Sequence, residues 1–317
     1  MMDKTLSIIL LSYYSKTKLN VAVERLSEVL SQNEIPFEII IMDDGSRDES
    51  YAIACALEEK YSYVKAYQLS RNYTSHYSVF AGLTLCSGAC AAPVADDEQQ
   101  PYETLVEMYR LWEKGNKVII PFRNGRDDPY FSRMMSLGFY TVMNRLSDIK
   151  FPKYGADTFF IDREVIDILN ERIHPIRTTT ITEILRLGFS AVFVPYFRPL
   201  GVNEKSRWTL KKKINLAKDF FFSSSMFPIA LITRLGMFFS AFSIALILFY
   251  FFGRLFGSDT EFWSLKKVPG WTSTVIIISF FSGLILFSLG IIAEYIWRIF
   301  EEVKGRPGFI IRKKEKK

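Results

Sequence analysis

The sequence predicts a doubly wound α/β domain with a mostly parallel sheet, followed by an amphipathic juxtamembrane segment and two transmembrane helices. Three observations carry that expectation. Short Ile-rich apolar runs alternate with helix-length segments through the N-terminal two thirds of the chain. Polar clusters recur directly after the apolar runs. Two charge-free stretches, each long enough to span a membrane, lie near the C-terminus. The expected division is residues 1–202 as the α/β domain, 203–233 as the juxtamembrane segment and 234–317 as the two-span region with a basic tail.

Leu6–Leu11 and Phe37–Met42 read as strands buried on both faces, because they are continuous apolar runs rather than alternating ones. Val64–Leu69, Ala91–Ala95 and Lys117–Pro121 repeat the pattern. Lys18–Gln32, Glu49–Lys60, Ser75–Leu85 and Tyr102–Glu113 are the intervening helices. Sheets of this kind bind ligands beyond the carboxyl ends of their strands. Ser12–Tyr13, Asp43–Ser46, Ser70–Asn72, Asp96–Asp97 and Arg123 fall there in turn. Convergence of polar groups at one sheet edge marks a site rather than packing.

Hydrophobic residues make up 49% of the 317 and aromatics 15%, with the excess concentrated beyond about residue 220. The net charge of +6 clusters beside the apolar stretches, which points to a membrane surface or a phosphate-bearing lipid and away from nucleic acid. Leu235–Gly253 and Ser273–Ala293 are free of charge, and a hydrocarbon core of about 30 Å needs about 20 helical residues. Arg298, Lys304, Arg306, Arg312, Lys313, Lys314, Lys316 and Lys317 follow the second stretch, against Arg254, Lys266 and Lys267 between the two. Positive residues stay inside, so both termini and the catalytic domain are expected in the cytoplasm of a multi-pass protein of the cytoplasmic membrane. No cleavable signal peptide is read at the N-terminus. Arg207, Trp208, Lys211–Lys213 and Phe220–Phe222 suggest a helix lying among lipid headgroups. Two histidines are too few for a histidine metal site, and Cys86 and Cys90 read as packing residues on one helix face or its end.

Two acidic clusters carry the chemistry. Asp43-Asp44-Gly45-Ser46 with Asp48 is either a strand-to-helix turn in which Asp48 caps the next helix, or a base- and ribose-reading loop, since carboxylates accept bonds from imide N–H and hydroxyl groups. Asp96-Asp97-Glu98-Gln99 is either a solvated acidic turn or a cation site. Adjacent carboxylates repel, and a hard divalent cation would offset that while bridging a diphosphate.

These segments are similar to motifs of the family 2 glycosyltransferases of GT-A fold, and more narrowly to those of bactoprenol glucosyltransferases and dolichyl-phosphate mannose synthases. Asp43 to Asp48 matches D-D-G-S-x-D, and Leu69-Ser70-Arg71-Asn72 matches L-S-R-N. In the D-x-D-x-Q-D-P metal motif Asp97 and Gln99 match, while Ala95 replaces the first aspartate. Only Tyr13 matches the first-strand P-x-Y-N-E. Asp157 aligns with the acceptor-side aspartate, with Phe159 where arginine is usual. The family's S-K-[YW]-[ST] segment reads Ser206-Arg207-Trp208-Thr209, with arginine in place of lysine, and the stretch from Ile291 to Pro307 is similar to the end of the bactoprenol transferases.

The resemblance implies an inverting transfer from a nucleotide-sugar, with UDP expected by analogy, to polyprenyl (undecaprenyl) phosphate. Ser12, Tyr13, Asp43, Asp44, Asp96 and Arg123 would bind the donor. Asp97 and Gln99 would hold Mg2+ or Mn2+, and Asp157 with Asp97 would be catalytic. Arg133, Ser206 and Arg207 would meet the acceptor phosphate; Arg123 and Arg133 read equally well as structural surface arginines. A homo-oligomer is left open. The rival readings are a processive polysaccharide synthase, for which two spans leave no channel, and a catalytically impaired membrane adaptor.

Overall fold

The computed structural model describes residues 4–97, 100–123, 156, 158–176, 178–197, 231–239 and 270–312, with single helical positions at 141, 145, 241, 242, 245 and 248. The chain divides into two compact units. One runs to Ser224 and takes in the segment from Arg306; the other is Ser225–Gly305.

In the first unit, β1 (Leu6–Ser12), α1 (Leu19–Gln32), β2 (Phe37–Asp43), α2 (Ser50–Lys60), β3 (Val64–Gln68), α3 (Ser75–Leu83), β4 (Cys90–Ala95), α4 (Glu103–Glu113) and β5 (Val118–Arg123) alternate as expected. They are followed by β6 (Phe160–Asp162), α5 (Arg163–Arg172), α6 (Thr180–Arg186) and β7 (Ala191–Tyr196). The sheet order is β3-β2-β1-β4-β6-β5-β7. The β1–β2, β1–β4, β2–β3 and β5–β7 pairs are parallel, and only the three-residue β6 runs antiparallel, between β4 and β5. All strands except β6 therefore end at one edge.

The central strands are largely apolar because helices cover both faces. On one face Ile8 and Leu10 of β1 meet Leu19 and Leu26 of α1, Leu57 of α2 and Leu105 of α4. On the other, Ile9 of β1 and Ile40 of β2 meet Val79 of α3, Ile166 and Leu169 of α5, and Ile184 of α6. The buried side chains of α1 (Leu19, Ala22, Val23, Leu26, Val29, Leu30) follow the three-and-four spacing of one helical stripe. Cys86 and Cys90 do pack inward, but not along one helix. The chain leaves α3 through Ser87-Gly88, so Cys86 lies beyond the helix end while Cys90 opens β4. Burial pushes the Cys86 thiol up to about 12, leaving it an unreactive packing group.

The second unit contains α7 (Gly270–Val303). Its Phe280–Phe300 stretch has a mean hydropathy of 1.8 and is long and apolar enough to cross a membrane; it is the one such helix among the described residues. Ile285, Leu286 and Phe287 along it are 58–69% exposed. Of the other expected span, residues 235–239, 241, 242, 245 and 248 are helical and the rest lies outside the described residues, as do 201–230. A positive-φ glycine, Gly305 at +59°, terminates α7, where its N–H reaches the Glu302 carbonyl.

The junction of β6 with α5 rests on Asp162. One of its carboxylate oxygens caps α5 by accepting from the Glu164 N–H at 3.0 Å; the other accepts from the Trp112 indole N–H at 2.7 Å. Asp162→Ala should lower stability by about 0.5–2 kcal/mol from the lost cap alone, with a further loss from the orphaned indole. A fall in thermal midpoint with transfer activity preserved at low temperature is the expected result, measurable by thermal scanning in detergent.

Candidate active site

Register places three polar side chains in one row at the carboxyl edge. Ser12 of β1 lies beside Asp43 of β2, and Asp43 beside Gln68 of β3. Asp43 is wholly buried. Its Oδ2 accepts from the Ser46 N–H at 2.9 Å and from Gln68 Nε2 at 2.9 Å. Its Oδ1 accepts from the Ser46 hydroxyl at 2.5 Å and, more distantly, from the Ser12 hydroxyl at 3.5 Å. Four donors fill the acceptor capacity of one carboxylate. Asp43 thus organises the loop around it, and Ser46 carries the effect onward: its Oγ also accepts the Tyr14 N–H at 3.0 Å. Beside it the Ser15 N–H donates to Ser50 Oγ at 2.8 Å, so the loop after β1 is stitched to the loop after β2. Tyr14 is held at φ 52° and stands edge-on to Tyr13, ring centroids 4.6 Å apart.

Asp44 ties in a third loop. Its Oδ1 accepts from the Tyr73 N–H at 2.7 Å and its Oδ2 from the Thr74 N–H at 3.0 Å. Thr74 sits at φ 85°, an outlier for a β-branched residue and a cost of about 1–3 kcal/mol. The Asp44 bond is what holds it at the start of α3. Gly45, at φ +68°, could carry no side chain: a Cβ would come within 2.5–2.8 Å of Arg71 backbone atoms. The Arg71 guanidinium lies 4.6 Å from the centre of the Tyr73 ring, at the same edge. Asp48, expected as a helix cap, accepts from the Ser50 N–H at 3.1 Å in the first turn of α2.

Beside β1, the end of β4 presents Asp96 and Asp97 in the turn after Ala95, both half-buried. Among the described residues no three His, Cys, Asp or Glu side chains converge on one point. A cavity of about 140 Å³ opens next to them, lined by Leu11, Val79, Ala95, Phe159 and Thr180 among others. The Thr180 hydroxyl is buried there without a hydrogen-bond partner among the described residues.

Of the residues expected from sequence, Ser12, Asp43 and Asp44 come together in one bonded set with Tyr13 next to it in the loop after β1, its N–H on Ser15 Oγ at 3.0 Å, and Asp96 and Asp97 follow the neighbouring strand. Arg123 closes β5, in register with Tyr196 of β7. Gln99, Arg133, Asp157, Ser206 and Arg207 lie outside the described residues. Gln68 was missed, although a signal existed. Val64, Ala66 and Gln68 share the buried side of β3, and a polar residue at a core position demands partners.

A doubly wound α/β sheet with acidic loops gathered at its carboxyl edge places the protein in the class that binds ligands at strand ends. Residues 7–169 match glycosyl transferase family 2, and the chain belongs to that family; it is a glycosyltransferase. It is 30% identical over 309 residues to the uncharacterized glycosyltransferase sll0501 of Synechocystis sp., covering 96% of this chain and 94% of that one. It is 31% identical over 278 residues to the SfII prophage-derived bactoprenol glucosyl transferase of Shigella flexneri, covering 87% of each. Among solved structures, glucosyl-3-phosphoglycerate synthase from Mycobacterium tuberculosis with phosphoglyceric acid aligns at TM-score 0.47 and 16% identity, over 68% of this chain and 76% of that one. The motif resemblance to family 2 and its bactoprenol transferases agrees with these relatives.

Burial pushes the Asp44 carboxyl up to about 6 from its ordinary 3.8, with the charge of Asp43 adding to the effect; the Tyr73 and Thr74 N–H groups and the Ser78 hydroxyl oppose it. The folded site therefore takes up its proton before the unfolded chain does. Asp44 adds stability as the pH falls from about 6 towards 3.8 and withdraws it as the pH rises through 6. Were an ionised Asp44 to accept from a nucleotide's hydroxyl or N–H group, binding would run the other way. UDP affinity, measured by calorimetry with Mn2+, should weaken as the pH drops through about 6. Asp44→Asn should bind more weakly and lose that step.

Proposed function

We propose that this glycosyltransferase moves a sugar from a nucleotide-sugar, with UDP as the nucleotide, onto polyprenyl phosphate at the cytoplasmic face of a membrane. The observation that carries the reading is the likeness to a bactoprenol glucosyl transferase over 87% of both chains, which extends beyond the sheet domain into the apolar C-terminal region. The helix α7 and the excess of Lys and Arg after it support a membrane setting; with Leu235–Gly253 as a second span, both termini would be cytoplasmic.

In this reading the nucleotide lies across the ends of β1, β2 and β3. Asp44, whose two oxygens keep acceptor capacity beyond the Tyr73 and Thr74 N–H groups, is the base- or ribose-reading carboxylate, and Asp43 holds the loop in place. Ser12, Tyr13, Asp96 and Arg123 complete the donor site. The sugar sits towards the cavity beside Ala95, where the Thr180 hydroxyl finds a sugar hydroxyl as its partner. Asp96 and Asp97 are hard oxygen donors at a strand end and suit Mg2+ or Mn2+, which commonly take one or two carboxylates beside substrate phosphates. Asp97 and Gln99 would hold the ion, which when bound neutralises charge on the leaving diphosphate.

The acceptor phosphate has a second pKa of about 6 and is largely a dianion at neutral pH. One of its oxygens attacks the anomeric carbon as the bond to the donor diphosphate breaks, with inversion, and no proton has to be removed. Asp157 then shapes acceptor geometry, and Arg133, Ser206 and Arg207 hold the lipid phosphate.

The test is a panel of labelled nucleotide-sugars incubated with undecaprenyl phosphate and Mg2+ or Mn2+. One donor should give a lipid-extractable product, and Asp97→Ala should reduce its formation by at least about 100-fold, the scale of losing a main charge-stabilising group. Donor turnover without lipid product would overturn the acceptor, and wild-type turnover by Asp97→Ala would overturn the metal site.

A further inference from the structure

The polypeptide beyond α7 returns to the sheet domain and ends beside the bonded row. Ile311 forms an antiparallel bridge with Leu69. The Ser70 N–H donates to the Ile310 carbonyl at 2.8 Å, and the Arg312 N–H to the Gln68 carbonyl at 2.8 Å. Phe309 and Ile311 pack against the second apolar core. Gly308 approaches so closely that a Cβ there would lie 2.6 Å from the Pro175 carbonyl oxygen. The segment is thus fixed by backbone bonds, apolar packing and close approach together.

Its last described residue reaches into the site's hydrogen-bond network. Arg312 Nη1 donates to Gln68 Oε1 at 2.9 Å, and Gln68 Nε2 donates in turn to Asp43 Oδ2 at 2.9 Å. A glutamine amide presents a donor at one end and an acceptor at the other. Its orientation follows whichever neighbours it satisfies. Arginine has only donors and a carboxylate only acceptors, so the pair admits one orientation. With the amide turned round, Oε1 would face the Asp43 carboxylate and Nε2 the guanidinium, two repulsions in place of two bonds. The guanidinium also polarises the amide and strengthens its bond to Asp43.

We propose that Arg312 is a positioning residue for the donor nucleotide: it fixes the Gln68 amide, which holds Asp43 and with it the loop from Asp43 to Ser46. The proposal rests on the strand-end site being where the nucleotide binds. The C-terminal segment is then a working part of the donor site and not only a basic tail.

The experiment is a double-mutant cycle on the full-length protein in detergent, read by calorimetric UDP binding with Mn2+ and by donor KM and kcat. Arg312→Ala and Gln68→Ala should each weaken UDP binding and raise donor KM about tenfold, the scale of a charge-assisted hydrogen bond, with kcat nearly unchanged. The double variant should be no worse than either single one. Arg312→Lys, which keeps a charged donor, should recover part of the loss, and that guards against a variant that merely folds poorly. If Gln68→Ala weakens UDP binding while Arg312→Ala does not, or if the two losses add, Arg312 does not act through Gln68 and the proposal fails. If Gln68→Ala itself leaves UDP binding at the wild-type level, the nucleotide binds elsewhere and the underlying site reading fails instead.

Discussion

Burying a carboxylate completely is the constraint around which this site is built. Asp43 has no exposure to water, and an uncompensated charge in that position would cost several kcal/mol. Compensation has to come from donors aimed at both oxygens, and each donor commits a different part of the chain. Ser46 supplies its N–H and hydroxyl, which forces the tight turn at Gly45. Ser12 ties in the first strand and Gln68 the third. The loop geometry that presents Asp44 and the aromatic pair Tyr13 and Tyr14 follows from satisfying Asp43. Asp44 then imposes the strained backbone of Thr74 at the start of α3. Three loops that are distant in sequence become one rigid edge because two adjacent acidic side chains need partners.

Rigidity at that edge suits the chemistry. In the proposed transfer to a lipid phosphate the nucleophile and leaving group are both phosphate oxygens, so little proton transfer would fall to the protein. Its main task is to hold donor and acceptor in line and to stabilise charge on the diphosphate as it departs. In the proposed reaction the bonded loop cluster would serve the first, and the acidic turn at the end of β4 the second.

Much of this was legible in the sequence. The five leading strands and four leading helices were readable to within a residue or two, because strands covered on both faces are unbroken Ile-rich runs and α1 carries a clear apolar stripe. The acidic clusters were legible because polar groups at successive strand ends have no packing explanation. β6 escaped notice since a three-residue strand shows no periodicity. β7 carries Pro195, which breaks a strand pattern except at a sheet edge, and β7 is an edge strand. The proposed division of labour between Asp43 and Asp44 was not legible, because both are buried and it depends on how many donors the fold aims at each carboxylate. Arg312 was unreadable in principle: its partner is 244 positions away, and locally it is one more cation in a basic tail.

Asp43 is the keystone of the proposed donor site, although it exposes no atom to a ligand. UDP affinity of Asp43→Asn, measured by titration calorimetry with Mn2+ alongside a thermal scan, tests that most directly. The amide is nearly the same size but offers one acceptor oxygen in place of two and turns an N–H2 towards donors. The expected result is a protein that still unfolds cooperatively and binds UDP at least about tenfold more weakly, the scale of one lost charge-assisted bond. Wild-type UDP affinity in a folded Asp43→Asn protein would contradict the account.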